Sequence, residues 1–237
     1  MKNTLVIIPT YNESENIVHI ISSVFNSLPH CHVLIIDDNS PDGTSNLVNK
    51  MIKQNGKNLF IIERENKTGL GVAYVEGFHW AINKKYDFIF EMDADFSHDP
   101  ACLPNMVNAL TKNSDVIIGS RYIRGVNVLN WPLGRILISY FASKYVRLIT
   151  GLPVKDPTAG YVGYKRKVLE NIDLDEIQFV GYAFQIEMKY KSWKKNFRLT
   201  EYPIIFKNRE KGESKMDKSI FWEAIIGVIK MRFIKFK

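Results

Sequence analysis

The stretch Phe88-Ile89-Phe90-Glu91-Met92-Asp93-Ala94-Asp95 joins a mostly apolar run to two aspartates, and it decides the fold. Four further short runs show no alternation between apolar and polar positions: Leu5–Ile8, Val33–Ile36, Leu59–Ile62 and Val116–Ile118. Such runs are typical of parallel strands that are buried on both faces, and the segments between them have the length of crossover helices. Residues 1–120 therefore predict an α/β fold with a βαβαβ sheet.

Polar residues follow three of these runs directly. Pro9-Thr10-Tyr11-Asn12-Glu13 follows the first run, Asp37–Thr44 follows the second, and Asp93–Asp95 ends the stretch quoted above. Ligands of open α/β sheets bind beyond the carboxyl ends of the strands. We therefore expect these three loops to converge on one ligand-binding crevice.

The pattern changes after residue 120. A helix-like stretch runs from Leu133 to Ile149, and a mixed region follows that ends at Phe206. In residues 219–237 apolar side chains recur at steps of three and four, with Lys and Arg between them. Both an interfacial amphipathic helix and a helix packed on the core have this pattern.

The net charge of +7 is unevenly distributed. Residues 189–237 contain 14 Lys or Arg and 5 Asp or Glu, whereas residues 1–188 contain 18 and 20. The basic end indicates an anionic partner such as phosphate, lipid or nucleic acid, although a solvated basic surface has the same composition.

Other classes of protein are excluded by what the sequence lacks. Two cysteines without CxxC spacing indicate neither a disulfide framework nor a zinc knuckle. No apolar segment reaches the roughly 20 residues that a membrane span needs. The first apolar run breaks at Pro9 before a signal peptide could form, so we expect a cytoplasmic protein.

Asp93 and Asp95 are candidate metal ligands. In an extended backbone, carboxylates two positions apart point to the same side. Carboxylate oxygens suit Mg²⁺ or Mn²⁺, which commonly complete their coordination with water and substrate phosphates. Paired aspartates also occur as ordinary loop caps, so both interpretations stay open for the pair alone.

The second loop contains two further acidic positions of interest. Asp38 follows a buried strand, where a carboxylate can accept hydrogen bonds from a ribose or a base edge. Asp42 belongs to an Asp-Gly-Thr turn before a predicted helix, which favours a structural role.

Gly69-Leu70-Gly71 resembles part of a dinucleotide fingerprint, but Tyr74 stands where the third glycine belongs, so NAD is excluded as a ligand. A close backbone approach or a helix entry explains the two glycines.

Several cations are candidate phosphate ligands: Arg121, Arg209 and Lys215. Arginine suits bidentate contacts and lysine supplies a point charge, although each residue alone also fits a surface cation. His98 follows the aspartate pair and could contact substrate, but a solvent-facing loop histidine is the favoured interpretation.

Six motifs occur in one order along the chain: Pro9–Glu13, Asp37–Thr44, Gly69–Gly71, Asp93–His98, Gly119–Tyr122 and Asn208–Lys215. Together they resemble the dolichyl-phosphate, or polyprenol monophosphate, mannose synthases, which belong to the large inverting family of glycosyltransferases with the A-type nucleotide-sugar fold. The resemblance covers nearly the whole chain. It implies a Rossmann-like, mostly parallel sheet flanked by helices, with C-terminal amphipathic helices.

The resemblance also implies a role for each matching residue. The guanosine part of GDP-mannose would be bound by Pro9, Tyr11, Glu13, Ile36 and Asp38. The metal and the diphosphate would be bound by Asp93, Ala94 and Asp95, with Ser97 as a further metal ligand. The phosphate or sugar region would be lined by Arg121, Arg209 and Lys215, and catalysis would depend on Asp95, Arg121 and Arg209. The acceptor motif is matched by Arg135 and Ser139, whose spacing of four places both on one face of a helix.

The implied reaction is inverting transfer of mannose from GDP-mannose to a polyprenyl phosphate, with Mg²⁺ or Mn²⁺ as the metal. Residues 1–215 would form the catalytic domain, with a nucleotide-sugar half at 1–120 and an acceptor half at 121–215. Residues 216–237 would form an amphipathic interfacial tail. The chain resembles the short form of the family, which would reach the cytoplasmic face of the membrane as a peripheral protein, through an amphipathic surface or a membrane partner subunit.

Other functions stay open at this point. One keeps the fold but uses UDP-glucose or another nucleotide sugar, or a glycan acceptor. Another is a noncatalytic nucleotide-binding protein, for which the complete set of motifs would be surplus. Nucleic-acid binding is not expected, because no reader motif is present.

The chain departs from the family pattern at Val162. Many members of the mannose synthase family carry an arginine there, so recognition on the acceptor side differs at this position.

Overall fold

The computed structural model describes residues 3–208 and 218–233. The strands are β1 Thr4–Thr10, β2 His32–Asp37, β3 Leu59–Glu63, β4 Phe88–Glu91, β5 Val116–Ser120, β6 Val128–Leu129, β7 Val162–Lys165, β8 Leu199–Pro203 and β9 Phe206–Lys207. The α-helices are α1 Ile17–Ser27, α2 Thr44–Asn55, α3 Leu70–Asn83, α4 Leu103–Lys112, α5 Leu133–Thr150, α6 Arg166–Asn171, α7 Tyr182–Lys194 and α8 Lys218–Phe233. The five predicted strands and the predicted helix at 133–149 are therefore confirmed.

Seven strands form one sheet in the order β3-β2-β1-β4-β7-β5-β8. Strands β1 to β4 pair in parallel, as do β5 and β8, whereas β7 runs antiparallel to both of its neighbours. The α/β class with a mostly parallel sheet is thus confirmed. The strand order reverses between β1 and β4, which is where a sheet of this kind opens a crevice at its carboxyl edge.

Two apolar layers cover the two faces of the sheet. One face packs against α3, α6, α7 and α8, and the other against α1, α2 and α4. Strand β7 fits closely beside β4 because Gly163 has no side chain: a Cβ there would lie 2.4 Å from Cε1 of Phe90. The fully buried strands leave polar groups only at their ends, which positions the functional side chains in the loops.

Helix α8 packs on the body of the protein along one side. Val228 and Met231 lie in the main core, and the backbone carbonyl of Ile225 accepts a hydrogen bond from Tyr145 Oη at 3.1 Å. The core-packed alternative left open by the sequence therefore holds for this side. Ile226, Ile229 and Phe233 are nevertheless exposed.

Helix α5 exposes several large apolar side chains. Phe141 is 59% exposed and Leu148 is 80% exposed, and the others are Leu133, Leu137 and Ile138. The helix contains no acidic residue. Among the described residues, no helix has both the length and the hydropathy required to cross a bilayer.

Candidate active site

The loops after β1 and β2 are fastened to each other by Asp37. Its carboxylate accepts hydrogen bonds from Thr10 Oγ1 at 2.8 Å and from the backbone N–H and Oγ of Ser40 at 2.8 and 2.6 Å. Pro9 lies opposite Ile36 in the β1–β2 register. The residues that the sequence assigns to a nucleoside are therefore grouped at the carboxyl ends of two adjacent strands.

Asp38 is paired with a cation that sequence reasoning missed. Arg64 Nη1 donates to Asp38 Oδ1 at 2.7 Å, and the same guanidinium contacts Thr68 Oγ1 and lies 3.3 Å from Glu76 Oε2. Burial raises the pKa of Asp38 and outweighs the opposing effect of Arg64. An arginine after β3 reads as an ordinary surface residue, so no local pattern marks Arg64 as part of this site.

Tyr11 has a cation over its ring. Lys67 Nζ lies 4.2 Å from the ring centroid of Tyr11. This is within the range of a cation–π interaction. The loop after β3 thus brings Arg64 and Lys67 to the same side of the crevice as Tyr11 and Asp38.

Asp42 has the structural role that its turn sequence favours. Its Oδ1 accepts hydrogen bonds from the backbone N–H of Thr44 at 3.0 Å and from Thr44 Oγ1 at 2.6 Å, and its Oδ2 accepts one from Ser14 N–H at 2.9 Å. Burial raises the pKa of the Asp42 carboxyl. Together these hydrogen bonds lower that pKa by more than burial raises it, so it lies below its usual value. Glu13 is held nearby, since its backbone N–H donates to Thr44 Oγ1 at 3.0 Å.

The glycines at 69 and 71 also have a structural explanation. Gly69 adopts a φ of +111°, and a Cβ on Gly71 would lie 2.8 Å from the carbonyl oxygen of Phe179. Gly71 N–H donates to the carbonyl of Val180 at 2.8 Å. Both a helix entry and a close backbone approach are therefore present.

Asp93 and Asp95 lie in the turn after β4. The strand ends at Glu91, and Phe96 has a left-handed φ of 61°, so strand alternation does not fix the directions of the two carboxylates. The Asp93 side chain is 39% exposed. Asp95 is buried, and its Oδ1 accepts a hydrogen bond from Ser97 N–H at 3.1 Å. Ala94 between them is buried as well.

The acidic turn has the donor set of an open magnesium or manganese site. Ser97 Oγ is buried, and among the described residues it has no hydrogen-bond partner. Two carboxylates and one such hydroxyl are hard oxygen donors. Within residues 3–208 and 218–233 no three His, Cys, Asp or Glu side chains cluster as a complete metal site. The residues present fit an ion that draws further ligands from substrate and water.

His98 is buried, in contrast to the favoured prediction of a solvent-facing residue. Its Nδ1 accepts a hydrogen bond from the backbone N–H of Asp93 at 3.1 Å, and its ring stacks on Tyr161 with centroids 4.9 Å apart. Burial lowers the pKa of His98, which favours the neutral ring that this hydrogen bond requires. No local pattern in the sequence indicates this burial, because Tyr161 lies far along the chain.

Arg121 is anchored by a buried aspartate. Asp156 accepts hydrogen bonds from Arg121 Nε at 2.7 Å, from Nη2 at 2.6 Å and from the backbone N–H at 2.9 Å. Burial raises the pKa of Asp156, but the charge and hydrogen bonds of Arg121 lower it to below the usual value. Glu201 in β8 in turn accepts from the backbone N–H groups of Lys155 and Asp156 at 2.8 and 2.9 Å.

A further cation lies behind this loop. Lys189 in α7 is fully buried, and its Nζ donates to the carbonyls of Ala159 at 2.6 Å and Gln185 at 2.9 Å. Burial lowers its pKa to about 8, against the attraction of Glu91 and Asp156. Lys189 therefore connects α7 to the loop that holds Arg121.

The two residues of the acceptor motif lie on α5, near Arg121. Ser139 Oγ accepts a hydrogen bond from Tyr122 Oη at 2.7 Å, and Arg135 Nη1 donates to Asn208 Oδ1 at 2.9 Å. The guanidinium of Arg135 lies 4.1 Å from the ring of Trp131. The acceptor motif is thus brought close to Arg121, whereas the remaining predicted phosphate ligands, Arg209 and Lys215, lie outside the described residues.

The strand order, the crevice at its reversal point and the acidic turn after β4 define a glycosyltransferase with the A-type fold. Residues 5–173 match the model of the family described as Glycosyl transferase family 2. The chain belongs to this family and is a glycosyltransferase.

Named relatives match nearly the whole chain. The polyprenol monophosphomannose synthase of Mycolicibacterium smegmatis is 42% identical over 96% of this chain and 86% of its own. The undecaprenyl-phosphate mannosyltransferase of Micrococcus luteus is 41% identical over 94% and 91%, and the dolichol-phosphate mannosyltransferase of Pyrococcus furiosus is 35% identical over 91% and 60%.

A solved structure shares the fold. Glucosyl-3-phosphoglycerate synthase of Mycobacterium tuberculosis, in complex with Mn²⁺, UDP-glucose and phosphoglyceric acid, superposes with a TM-score of 0.72 over 99% of this chain and 81% of its own, at 15% identity. This likeness concerns the fold only.

Proposed function

We propose that the protein transfers mannose from GDP-mannose to a polyprenyl phosphate, with inversion at the anomeric carbon. The observation that carries the proposal is that Arg121 lies close to both the acidic turn and α5. Arg121 and Arg135 are both within cation–π range of Trp131, and Tyr122 donates to Ser139. His98, which accepts the N–H of Asp93, contacts Phe206 beside Arg121. The relatives at 41–42% identity, which bear the names of polyprenyl-type mannosyltransferases, support this donor sugar and acceptor.

The donor would lie along the carboxyl ends of β1, β2 and β4. Pro9, Tyr11, Glu13, Ile36 and Asp38 would hold the guanosine. Asp38 would accept hydrogen bonds from the nucleoside, and Arg64 would hold the Asp38 carboxylate in place. The diphosphate would then extend toward Asp93 and Asp95, where the crevice meets the turn after β4.

Asp93, Asp95 and Ser97 would hold a divalent ion, Mg²⁺ or Mn²⁺. When bound, such an ion supplies positive charge next to the leaving diphosphate. The chain's own cations would act on the same charge. Arg121 is held rigidly by Asp156, and Arg209 is proposed to assist it.

The reaction would be a single in-line displacement. An oxygen of the polyprenyl phosphate forms a bond to the anomeric carbon while the bond from that carbon to the β-phosphate oxygen breaks, and GDP leaves with the electron pair. No side chain has to remove a proton, because a phosphate monoester with a second pKa of about 6 is already largely ionised at neutral pH. Positioning by Arg135 and Ser139 and electrostatic stabilisation by Arg121 would carry the catalysis.

The enzyme would act at the cytoplasmic face of a membrane. The exposed apolar side chains of α5 adjoin Arg135 and Ser139, and cations such as Lys144 and Arg147 lie on the same helix. Together with the exposed side of α8, this surface would enter the lipid headgroup region, either by itself or with a membrane partner subunit. A polyprenyl phosphate would then reach Arg135 without leaving the bilayer.

The experiment is transfer of radiolabelled sugar from GDP-mannose to a polyprenyl phosphate, with UDP-glucose in parallel, with and without Mg²⁺ or Mn²⁺. Metal-dependent label from GDP-mannose in the lipid phase supports the proposal. Label from UDP-glucose alone would assign a different donor to the same fold. No label from either sugar would reject the lipid acceptor.

A further inference from the structure

Four side chains contact one another in series between the acidic turn and α5. The rings of His98 and Phe206 have centroids 5.6 Å apart at 79°, and those of Phe206 and Trp131 have centroids 5.3 Å apart at 74°. The Arg135 guanidinium lies 4.1 Å from the Trp131 ring. We call this series, His98-Phe206-Trp131-Arg135, the aromatic column.

The column begins at the metal-ligand turn through a polar contact. His98 Nδ1 accepts the backbone N–H of Asp93 at 3.1 Å, so the ring proton is on Nε2. The other contacts of the ring fix its plane, since it stacks on Tyr161 at 4.9 Å and 18°. Gly160 adds to this close fit, because a Cβ there would lie 3.4 Å from His98 Cε1. The imidazole is therefore held from several sides while it holds Asp93.

The column ends at the acceptor motif through a second polar contact. Arg135 Nη1 donates to Asn208 Oδ1 at 2.9 Å, and Asn208 N–H donates to the carbonyl of Leu129 at 3.1 Å. The two-stranded sheet of β6 and β9 pairs Val128 with Phe206. This small sheet is what brings Phe206 and Trp131 together, although they lie far apart in sequence.

Arg121 lies beside the middle of the column. Its guanidinium carbon is 5.6 Å from the ring of Phe206 and 5.8 Å from that of Trp131. Because Asp156 fixes Arg121 independently, the column has a rigid lateral support. Trp131 therefore has one guanidinium on α5 and another on the loop after β5 within cation–π range.

We propose that the aromatic column sets the position of Arg135 relative to Asp93, and that Trp131, Phe206 and His98 are positioning residues for the transfer. This rests on the proposed function. An in-line displacement needs the acceptor oxygen at a fixed distance and angle from the anomeric carbon. Arg135 has a long and flexible side chain, so its guanidinium needs stacking to hold an acceptor phosphate in one place.

The test compares Trp131→Leu, which removes the stacking surface, with Trp131→Phe, which keeps a ring. Trp80→Leu is the matched control, because Trp80 packs with Phe60 and Tyr86 outside the column. Calorimetry measures binding of a short-chain polyprenyl phosphate in detergent and of GDP with Mn²⁺, and steady-state rates are measured alongside. We expect Trp131→Leu to weaken acceptor binding about tenfold, as loss of a partly buried cation–π contact predicts, and to leave GDP binding unchanged.

The other end of the column is tested at His98. His98→Asn places an oxygen near the position of Nδ1 and should keep the hydrogen bond to Asp93 N–H, whereas His98→Phe removes the acceptor and keeps a ring. We expect His98→Phe to weaken binding of GDP with Mn²⁺ about tenfold or more, in the range of outer contacts to metal ligands. His98→Asn should restore most of that binding.

The results of these measurements distinguish a failure of the aromatic column from a failure of the proposed function. Unchanged acceptor affinity in Trp131→Leu, or an equal loss in Trp80→Leu, overturns the column. Equal GDP binding by His98→Phe and His98→Asn overturns its His98 end. A wild-type protein that binds both ligands without transferring mannose rejects the proposed function, while the binding measurements still decide the column. A wild-type protein that binds no polyprenyl phosphate rejects both.

Discussion

Arg121 and Asp156 form a buried ion pair in which two guanidinium nitrogens, Nε and Nη2, each donate to one carboxylate oxygen, at 2.7 and 2.6 Å. The backbone N–H of Arg121 donates to the same carboxylate at 2.9 Å. Three hydrogen bonds from one residue to one carboxylate leave the side chain little freedom. This rigidity suits the role proposed for Arg121, which is to stabilise the charge that develops on the leaving diphosphate.

Asp156→Asn is expected to destabilise the protein substantially. Removing one partner of a buried pair leaves an uncompensated charge, which costs about 3–5 kcal/mol of the free energy of unfolding. Urea denaturation measures this loss. The half-exposed ion pairs of Arg166 with Asp87 and Glu170 provide the control, since Arg166→Gln should cost about 1 kcal/mol or less. Equal losses in both variants would contradict a special role for the buried pair.

Acid should weaken the same pair. The pKa of folded Asp156 lies below its usual value of 3.8, so its contribution to stability is complete above that value and is lost as the pH falls through the folded pKa. We expect the free energy of unfolding of wild type to fall more steeply below about pH 4 than that of Asp156→Asn. Parallel curves for the two proteins would show that Asp156 does not titrate in this way.

The acidic turn should respond to small changes in its oxygen donors. Asp95→Asn is expected to lower metal-dependent transfer about 100-fold or more, as loss of a group that stabilises developing charge does. Ser97→Ala removes a buried hydroxyl and should raise the Mn²⁺ concentration for half-maximal activity about tenfold. Manganese titrations of the rate measure both. If Ser97→Ala reaches half-maximal activity at the same Mn²⁺ concentration as wild type, the Ser97 hydroxyl packs in the turn without binding the metal.

Arg64 should control donor affinity through Asp38. Arg64→Gln removes the cation that opposes the effect of burial, so the pKa of Asp38 should rise further and its carboxylate should lose its fixed orientation. We expect the KM for GDP-mannose to rise about tenfold while the KM for the lipid acceptor stays unchanged. Lys84→Gln is the control for a lost positive charge, because Lys84 lies over the Trp80 ring at the C-terminal end of α3 and does not contact Asp38 or Tyr11.

The exposed face of α5 should govern membrane attachment. Leu137→Ser combined with Phe141→Ser removes apolar surface that would insert into lipid, and each fully inserted side chain contributes roughly 1.5–3 kcal/mol. Co-sedimentation with vesicles of anionic phospholipid should therefore fall sharply. Leu70→Ser, at the start of α3 on the donor side, serves as the control and should sediment like wild type. Undiminished sedimentation of the α5 variant would place the membrane contact elsewhere.

The strands with the strongest apolar runs could be predicted, and the rest of the sheet could not. Strands β1, β2, β4 and β5 are buried runs, and the half-buried β3 still contains the apolar run Leu59–Ile62, so each stands out by composition alone. Strand β7 is four residues long and includes Gly163, while β8 is half-buried throughout, so neither gives a periodic or apolar signal. The position of β7 follows from the close fit of Gly163 against Phe90, and that of β8 follows from its pairing with β5, where Val116 N–H donates to the carbonyl of Arg198.

The candidate site likewise contains residues with a local sequence signal and residues that only tertiary contacts bring together. The acidic turn and Asp38 could be recognised because their residue types follow strand ends, and Asp42 could be recognised as a turn residue. The partners that hold these residues could not, since Arg64, Asp156 and Trp131 join the site through tertiary contacts. Residue type alone favours a solvent-facing His98, but Tyr161 and Phe206 form its surroundings.

Strand β7 has a consequence for the order of folding. It lies between β4 and β5 in the sheet, yet the chain reaches it only after both are made. During synthesis the N-terminal elements emerge first, so β1 to β4 can assemble while β4 is still an open edge with Phe88 and Phe90 uncovered on one side. Only when Val162–Lys165 leaves the ribosome does β4 gain its second neighbour. Between these two moments, β4 has unpaired backbone groups along one edge, and that edge can pair with another chain. Either a chaperone or the rapid arrival of β7 prevents such pairing.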